Sequence, residues 1–182
     1  MSAIRAIRHW QRRYKLLYLL DTNIYISFYD RAYWFDTFPS FWENFVPIMN
    51  RSVVLPTVVL NEIRKSDEFH QWLNETFNGD FLNHKDYAEE WGEVLSYIDS
   101  SPFYSQNALQ TANSWAHDDV ADGWLIAIAK KEGYTIVSNE TKNPNLNVAY
   151  PSKGVKIPDV ALHFGIRSIT MRDFFKEVGL KV

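Results

Sequence analysis

Short β-rich runs alternate with longer stretches of helical periodicity along this chain. Residues 15–20 form an apolar run that stops at Asp21-Thr22-Asn23. A run of this length, bounded by cap and turn residues, predicts a buried parallel strand. Phe38, Phe41, Trp42 and Phe45 then recur at spacings of three and four, which predicts a helix with an aromatic stripe. Val53-Val54-Leu55 predicts a second strand, closed by Pro56. Thr57 reads as the cap of a helix that carries Val58, Leu60, Glu62 and Ile63. From Asp67 to Ser114 the pattern is helical and polar, with breaks at Asn78-Gly79 and Ser100-Ser101-Pro102. Trp115 to Glu132 gives the clearest helical pattern, and Gly133 follows it as a C-terminal stop. Tyr134 to Val137 predicts a strand halted by Ser138-Asn139-Glu140, Val155 to Ile157 a further short strand, and Thr170 to Val178 a last helix capped by Thr170.

Strands separated by helices imply a mostly parallel sheet covered on both faces, an α/β fold of three-layer α/β/α type. With 182 residues, 21.4 kDa and neither a repeat nor a linker, residues 15–182 read as one domain. Residues 1–14 read as a basic helical extension. Arg5, Arg8, Arg12, Arg13 and Lys15 stand there without an acid, and Ile4, Ile7, Trp10 and Tyr14 recur at helical spacing. Contact with nucleic acid, a partner or a membrane surface fits that segment, and so does packing on its own body.

Charge narrows the function. The net charge is −3, and without the first fifteen residues the balance falls to −8. An acidic body argues against coating nucleic acid through bulk charge, and permits an enzyme that holds cations in an acidic pocket and touches a polyanion locally. Cysteine is absent, which excludes disulfides, thiolate zinc sites and a cysteine nucleophile, and fits a reducing compartment. No uncharged apolar run approaches the ~18 residues of a membrane span, and the basic N-terminus lacks the apolar core of a signal peptide. The expectation is a cytoplasmic protein without membrane partners.

The candidate chemistry lies in acids at element ends. Ligands of open α/β sheets sit beyond the carboxyl ends of the strands. Asp21 follows the first strand and Glu140 a later one, Glu62 lies on the helix after the second strand, and Asp122 lies in an apolar helical stretch. Asp118 and Asp122, four apart, are expected to share a helix face and repel. Several carboxylates in one pocket cannot all stay ionised unaided, and a divalent cation with a preference for hard oxygen ligands, magnesium or manganese, resolves the conflict. One or two such ions supply the Lewis acidity that phosphodiester hydrolysis needs. Taken singly, each acid also has a plain structural reading: Asp21 as a helix cap, Glu62 as a solvated helix residue, Glu140 as a turn residue.

Four segments in order bear a resemblance. Leu19-Leu20-Asp21-Thr22-Asn23 resembles the opening motif of the PIN domain family, and Pro56-Thr57-Val58-Val59-Leu60-Asn61-Glu62-Ile63 its second motif. Asp122-Gly123-Trp124-Leu125-Ile126-Ala127 is similar to the third, and Ile136-Val137-Ser138-Asn139-Glu140 to the fourth, with Glu where the family usually has Asp. The resemblance implies an α/β/α sandwich and a Mg²⁺- or Mn²⁺-dependent endoribonuclease that leaves a 5′-phosphate. Asp21, Glu62, Asp122 and Glu140 would be the metal-binding acids, and Asn23 and Ser138 supporting groups. Asp118 and Asp119 are extra acids able to join or replace Asp122. It also implies RNA as substrate, a homodimer, and a link to VapC-like toxins with an antitoxin protein as partner. The chain exceeds compact toxin-type members in the aromatic stretch after Asp21, in residues 67–114 and in its tail, and so looks more like a bacterial PIN-like subfamily of unknown function. A nuclease acting on structured DNA and an inactive binding module for RNA or protein stay open beside it.

Arg64, Lys65 and Lys142 flank the acids and are candidate phosphate contacts. Asp159 reads as a turn cap or as a residue near the site. The five histidines show no ligand spacing, and neither a glycine-rich phosphate loop nor a Gly-x-Ser-x-Gly elbow occurs.

Overall fold

Four short strands run parallel in the computed structural model, which describes residues 16–63 and 67–181. They are β1 (Tyr18–Leu20), β2 (Val53–Val54), β3 (Thr135–Val137) and β4 (Ser168–Ile169), in the order β2-β1-β3-β4. Tyr18 lies opposite both Val53 and Thr135, Leu20 opposite Val137, and Val137 opposite Ile169. Every residue of β1 and β3 is buried. Strands covered on both faces have no solvent side to alternate toward, so their sequences read as unbroken apolar runs. The basic extension expected over residues 1–14, and Arg64 and Lys65, lie outside the described residues.

The helices are α1 (Thr22–Ile26), continued by a π-helical turn over Ser27–Ala32, then α2 (Pro39–Ser52), α3 (Thr57–Ile63) and α4 (Asp67–Thr76). A 3₁₀ turn at His84–Tyr87 leads into α5 (Ala88–Ser100), followed by α6 (Ala121–Glu132), α7 (Ile157–His163) and α8 (Met171–Val178). Helical segments separate all consecutive strands, as parallel pairing requires. The fold is thus α/β with an all-parallel sheet, compatible with the three-layer sandwich expected from the sequence. Among the described residues no helix is long and apolar enough to cross a membrane.

Two packing features position the site. Phe41, Trp42 and Phe45 of the aromatic stripe are buried, and Phe28 meets Phe41 and Phe45 at ring separations of 5.2 Å each. Phe38 precedes α2 and stays partly exposed. Helix α6 is buried along most of its length. Trp124 stacks on Trp91 of α5 at 4.5 Å, and a Cβ on Gly123 would come within 3.0 Å of the Trp91 indole nitrogen. The glycine serves this close approach. Gly133 ends α6 at φ 73°, in the left-handed region that suits glycine.

Three expectations need correction. Helix α6 begins at Ala121, and residues 115–120 are turns closed by bonds such as His117 N–H to Ser114 C=O (3.1 Å). The indole N–H of Trp124 donates to the Asp118 carbonyl (3.1 Å) and that of Trp115 to the Asp122 carboxylate (3.1 Å), so side chains fix this segment before the helix starts. Asp118 and Asp122 therefore share no helix face. Residues 155–157 are not a strand: α7 starts at Ile157 with Pro158 in its first turn, where a missing N–H costs nothing. The fourth strand is the two-residue Ser168–Ile169 instead. Thr57 stands inside α3 as its first residue, with its hydroxyl 2.7 Å from His84 Nδ1. Thr170 caps α8 as expected, its hydroxyl accepting from Asp173 N–H.

Candidate functional site

The order β2-β1-β3-β4 sends the chain to one side of β1 first and to the other side later. This makes the carboxyl ends of β1 and β3 a topological switch point, the usual place for a ligand crevice in such sheets. Asp21 stands there. Its N–H donates to Val137 C=O at the end of β3 (3.0 Å), so both strand ends are tied together.

Asp21 is 2% exposed. Its Oδ1 accepts from Asn23 N–H (3.1 Å), which makes it the cap of α1, and its Oδ2 accepts from the Ser138 hydroxyl (2.9 Å). The cap reading of Asp21 is thus realised through Oδ1, while Oδ2 meets Ser138. Ser138 in turn accepts from Glu140 N–H (3.1 Å). On the neighbouring side the Thr22 hydroxyl donates to Glu62 Oε2, and Ala121 N–H donates to Glu62 Oε1 (2.9 Å). Glu62 therefore satisfies an orphan donor at the start of α6, one residue before Asp122. Direct hydrogen bonds link Ser138 to Asp21, Thr22 to Glu62, and Glu62 to the segment of Asp122. Stretches distant in sequence form one network.

The electrostatics report the same convergence. Burial first, then the charges of Asp21, Glu140 and Glu62, push the Asp122 carboxyl up to about 8 against the Trp115 hydrogen bond. Asp21 is also raised, by burial first and by Glu140 and Glu62 after its hydrogen bonds have pulled the other way. Like charges held together disfavour full ionisation, and a divalent cation would relieve them.

Glu140 differs from the rest. Its Oε1 accepts from Lys156 Nζ (2.6 Å) and its Oε2 from Ile157 N–H (2.8 Å) at the start of α7. Both oxygens of Glu62 are also taken by protein donors. Among the described residues no three acidic or histidine side chains are grouped to hold an ion. The carboxylate chemistry suits magnesium or manganese, and of the four acids Asp21, Glu62 and Asp122 have no ion pair among the described residues, whereas Glu140 has one with Lys156.

Asp118 is exposed and pairs with Lys85 at 3.6 Å. Asp119, by contrast, lines an open groove of about 430 Å³ with Thr22, Asn23, Asn61, Glu62 and Val120. Asn23 gives the site its backbone N–H and lends a side chain to that groove. Lys142 is exposed two residues beyond Glu140. Asp159 accepts from Asn143 N–H (3.0 Å) and so fastens the loop after Glu140. Sequence reading missed Thr22, Trp115 and Lys156. Thr22 was visible inside the Asp-Thr-Asn tripeptide, whereas a tryptophan or a lysine carries no local mark of the acid it will meet.

Fold and site define a parallel α/β domain that gathers acids at its switch point. The family model described as a domain of unknown function (DUF4411) matches residues 18–182, and the chain belongs to that family. The matched region begins at the first residue of β1 and takes in all four acids. No curated protein and no solved structure matches the chain.

Proposed function

We propose that this chain is a metal-dependent endoribonuclease of PIN type, hydrolysing phosphodiester bonds of RNA with Mg²⁺ or Mn²⁺. The observation that carries the reading is the hydrogen-bond network from Ser138 through Asp21 and Thr22 to Glu62 and Ala121, which joins the four segments that resemble PIN motifs. A bound divalent cation would supply Lewis acidity toward water and a phosphate oxygen. Asp21 and Asp122 would hold it, together with Glu62 and Glu140 to the extent that their protein donors leave an oxygen free. Ser138 and Asn23 orient Asp21, Trp115 orients Asp122, and Thr22 orients Glu62. These donors are neutral and bring no positive charge to the pocket, so a bound cation would be what lets its raised carboxyls ionise together.

The test uses purified full-length protein, Mn²⁺, and matched RNA and DNA oligomers. RNA is cut to 5′-phosphate products, and Asp21→Asn abolishes cutting. Equal cutting by both proteins rejects the site, and preference for DNA transfers the reading to a structure-specific DNA nuclease. In the toxin form of this reading, growth arrest on expression requires Asp21 and is relieved by an antitoxin partner.

A second reading draws on the double engagement of Glu62 and Glu140. A pocket whose glutamates are held by protein donors suits a catalytically inactive module that binds RNA or protein. It predicts metal-independent binding and no cleavage at any protein concentration.

A further inference from the structure

The segment that follows Glu140 is long and largely exposed. Residues 141–158 contain Lys142, Lys153 and Lys156 and not one acid, in a body otherwise rich in Asp and Glu. Both ends of this segment meet at one residue, since Glu140 begins it and binds Lys156 and Ile157 N–H near its close. It is therefore an Ω-type loop rooted in the acidic site.

Its own side chains hold it in shape. Asn145 N–H donates to Asn143 Oδ1 (3.0 Å), Tyr150 N–H to Asn147 Oδ1 (2.9 Å), and the Asn143 amide to Ser152 Oγ (3.3 Å). Ser152 N–H donates to Phe103 C=O (2.8 Å) and Ser105 N–H to Ser152 C=O (2.9 Å), which ties the loop to the turn after α5. Leu146 packs against the core. What the loop presents to solvent is Tyr150 at 82% exposure and Val148 at 57%, with Phe103 of the tied turn at 37%. Lys142 and Lys153 of the same loop are exposed as well. An aromatic side chain held out by a fastened backbone, on a loop that also exposes two lysines, suits single-stranded nucleic acid: the ring stacks a base and the cations meet phosphates.

We propose that loop 141–156 grips single-stranded RNA beside the acidic site, with Tyr150 as the stacking platform and Lys142 and Lys153 as the phosphate contacts. The inference rests on the ribonuclease reading for its ligand, a single strand of RNA, and goes beyond it in naming the surface that holds it. The network of acids repels a polyanion, and a cationic loop rooted on Glu140 offsets that repulsion locally.

The experiment measures binding of a fluorescein-labelled 12-nucleotide single-stranded RNA to full-length protein by anisotropy in EDTA, across a salt series, with cleavage in Mn²⁺ assayed in parallel. Tyr150→Ala weakens binding about 10-fold and Tyr150→Phe stays within about twofold of wild type, because stacking needs the ring and not the hydroxyl. Lys142→Ala and Lys153→Ala each lower the slope of log affinity against log salt by about 0.7, the value for one phosphate contact on a single strand. A duplex of the same sequence binds more weakly than the single strand. Unchanged affinity and salt slope in these variants overturns the loop assignment, and it leaves the ribonuclease reading standing if wild type still cuts and Asp21→Asn does not. Tyr150-dependent binding without any cleavage sinks the hydrolase and keeps the loop. Unaltered RNA binding together with a Tyr150-dependent change of oligomeric state by light scattering makes the loop a protein-binding surface and overturns the proposal.

Discussion

The two halves of the acidic site bury carboxylates in opposite ways. Glu140 has a cation, Lys156, at 2.6 Å and a backbone N–H on its other oxygen. Asp21 and Asp122 have only neutral donors: the Ser138 hydroxyl, the Asn23 N–H and the Trp115 indole. Glu140 raises the Lys156 ammonium and so stabilises a charge pair, whereas burial first, and then the charges of neighbouring acids, Glu140 and Glu62 among them, raise Asp21 and Asp122. The paired half is stable as it stands. The unpaired half holds raised carboxyls with no protein cation on them, so it is the half where the proposed metal would relieve repulsion.

The sharpest way to break this comparison is to neutralise one acid in each half. Asp21→Asn lowers cleavage by at least ~100-fold, whereas Glu140→Gln, whose carboxylate already has a protein cation, lowers it by about 10-fold. Initial rates on one RNA oligomer at fixed Mn²⁺ measure both. Equal losses remove the distinction between the halves.

The next effect is on stability against pH. Asp122 titrates near 3.8 in an unfolded chain and near 8 in the fold. Between those values the folded protein retains a proton that the unfolded chain has released. Stability from this group is therefore full below about pH 4 and declines as pH rises toward 8. In EDTA, melting temperature falls across that window, and Asp122→Asn flattens the fall. Added Mn²⁺ raises the melting temperature by several °C at pH 8, raises it less at pH 5.5, and does nothing for Asp122→Asn. A metal response that persists in Asp122→Asn places the ion elsewhere.

The parts of this site that could be read from sequence are those marked by a strand end. Leu19-Leu20-Asp21 and Ile136-Val137-Ser138 each carry a buried run into a polar stop, and the parallel sheet brings such stops to one edge. The α/β class followed from the same runs. Glu62 and Asp122 could be named as acids on helices near the strand ends but not joined, because nothing local says that a helix N–H at Ala121 will reach across to Glu62. The 115–120 turns were hidden by an apolar pattern that looks helical; indole bonds from Trp115 and Trp124 settle its conformation, and those are tertiary. β4 was unreadable because two residues are too few to show a period. The pairing of Glu140 with Lys156 was hidden for the same reason as the indole bonds: both depend on chain segments meeting in space.

A smaller effect tests the link between the halves of the network. Thr22 is buried and its hydroxyl donates to Glu62. Thr22→Val keeps the shape and removes the donor, leaving Glu62 Oε2 one partner short beside the other acids. The cost to folding is about 1–3 kcal/mol, read by urea denaturation at pH 8 in EDTA. Saturating Mn²⁺ reduces that cost if Glu62 turns toward the ion, and leaves it unchanged if Glu62 only braces α6.

The smallest change concerns the paired half itself. The Lys156 side chain is 45% exposed and that of Glu140 20%, so solvent weakens their attraction and Lys156→Met costs less than about 1 kcal/mol of stability. Its value lies in what happens to Glu140. Without the ammonium, Oε1 loses its strongest donor while Oε2 keeps the Ile157 N–H, and one oxygen becomes free for a cation. If Glu140 belongs with the acids, Lys156→Met lowers the Mn²⁺ concentration for half-maximal cleavage by a few-fold, and the double variant with Glu140→Gln loses that gain. If Glu140 serves only to cap α7 and close the loop, the metal dependence of Lys156→Met matches wild type, and the site reduces to Asp21, Glu62 and Asp122.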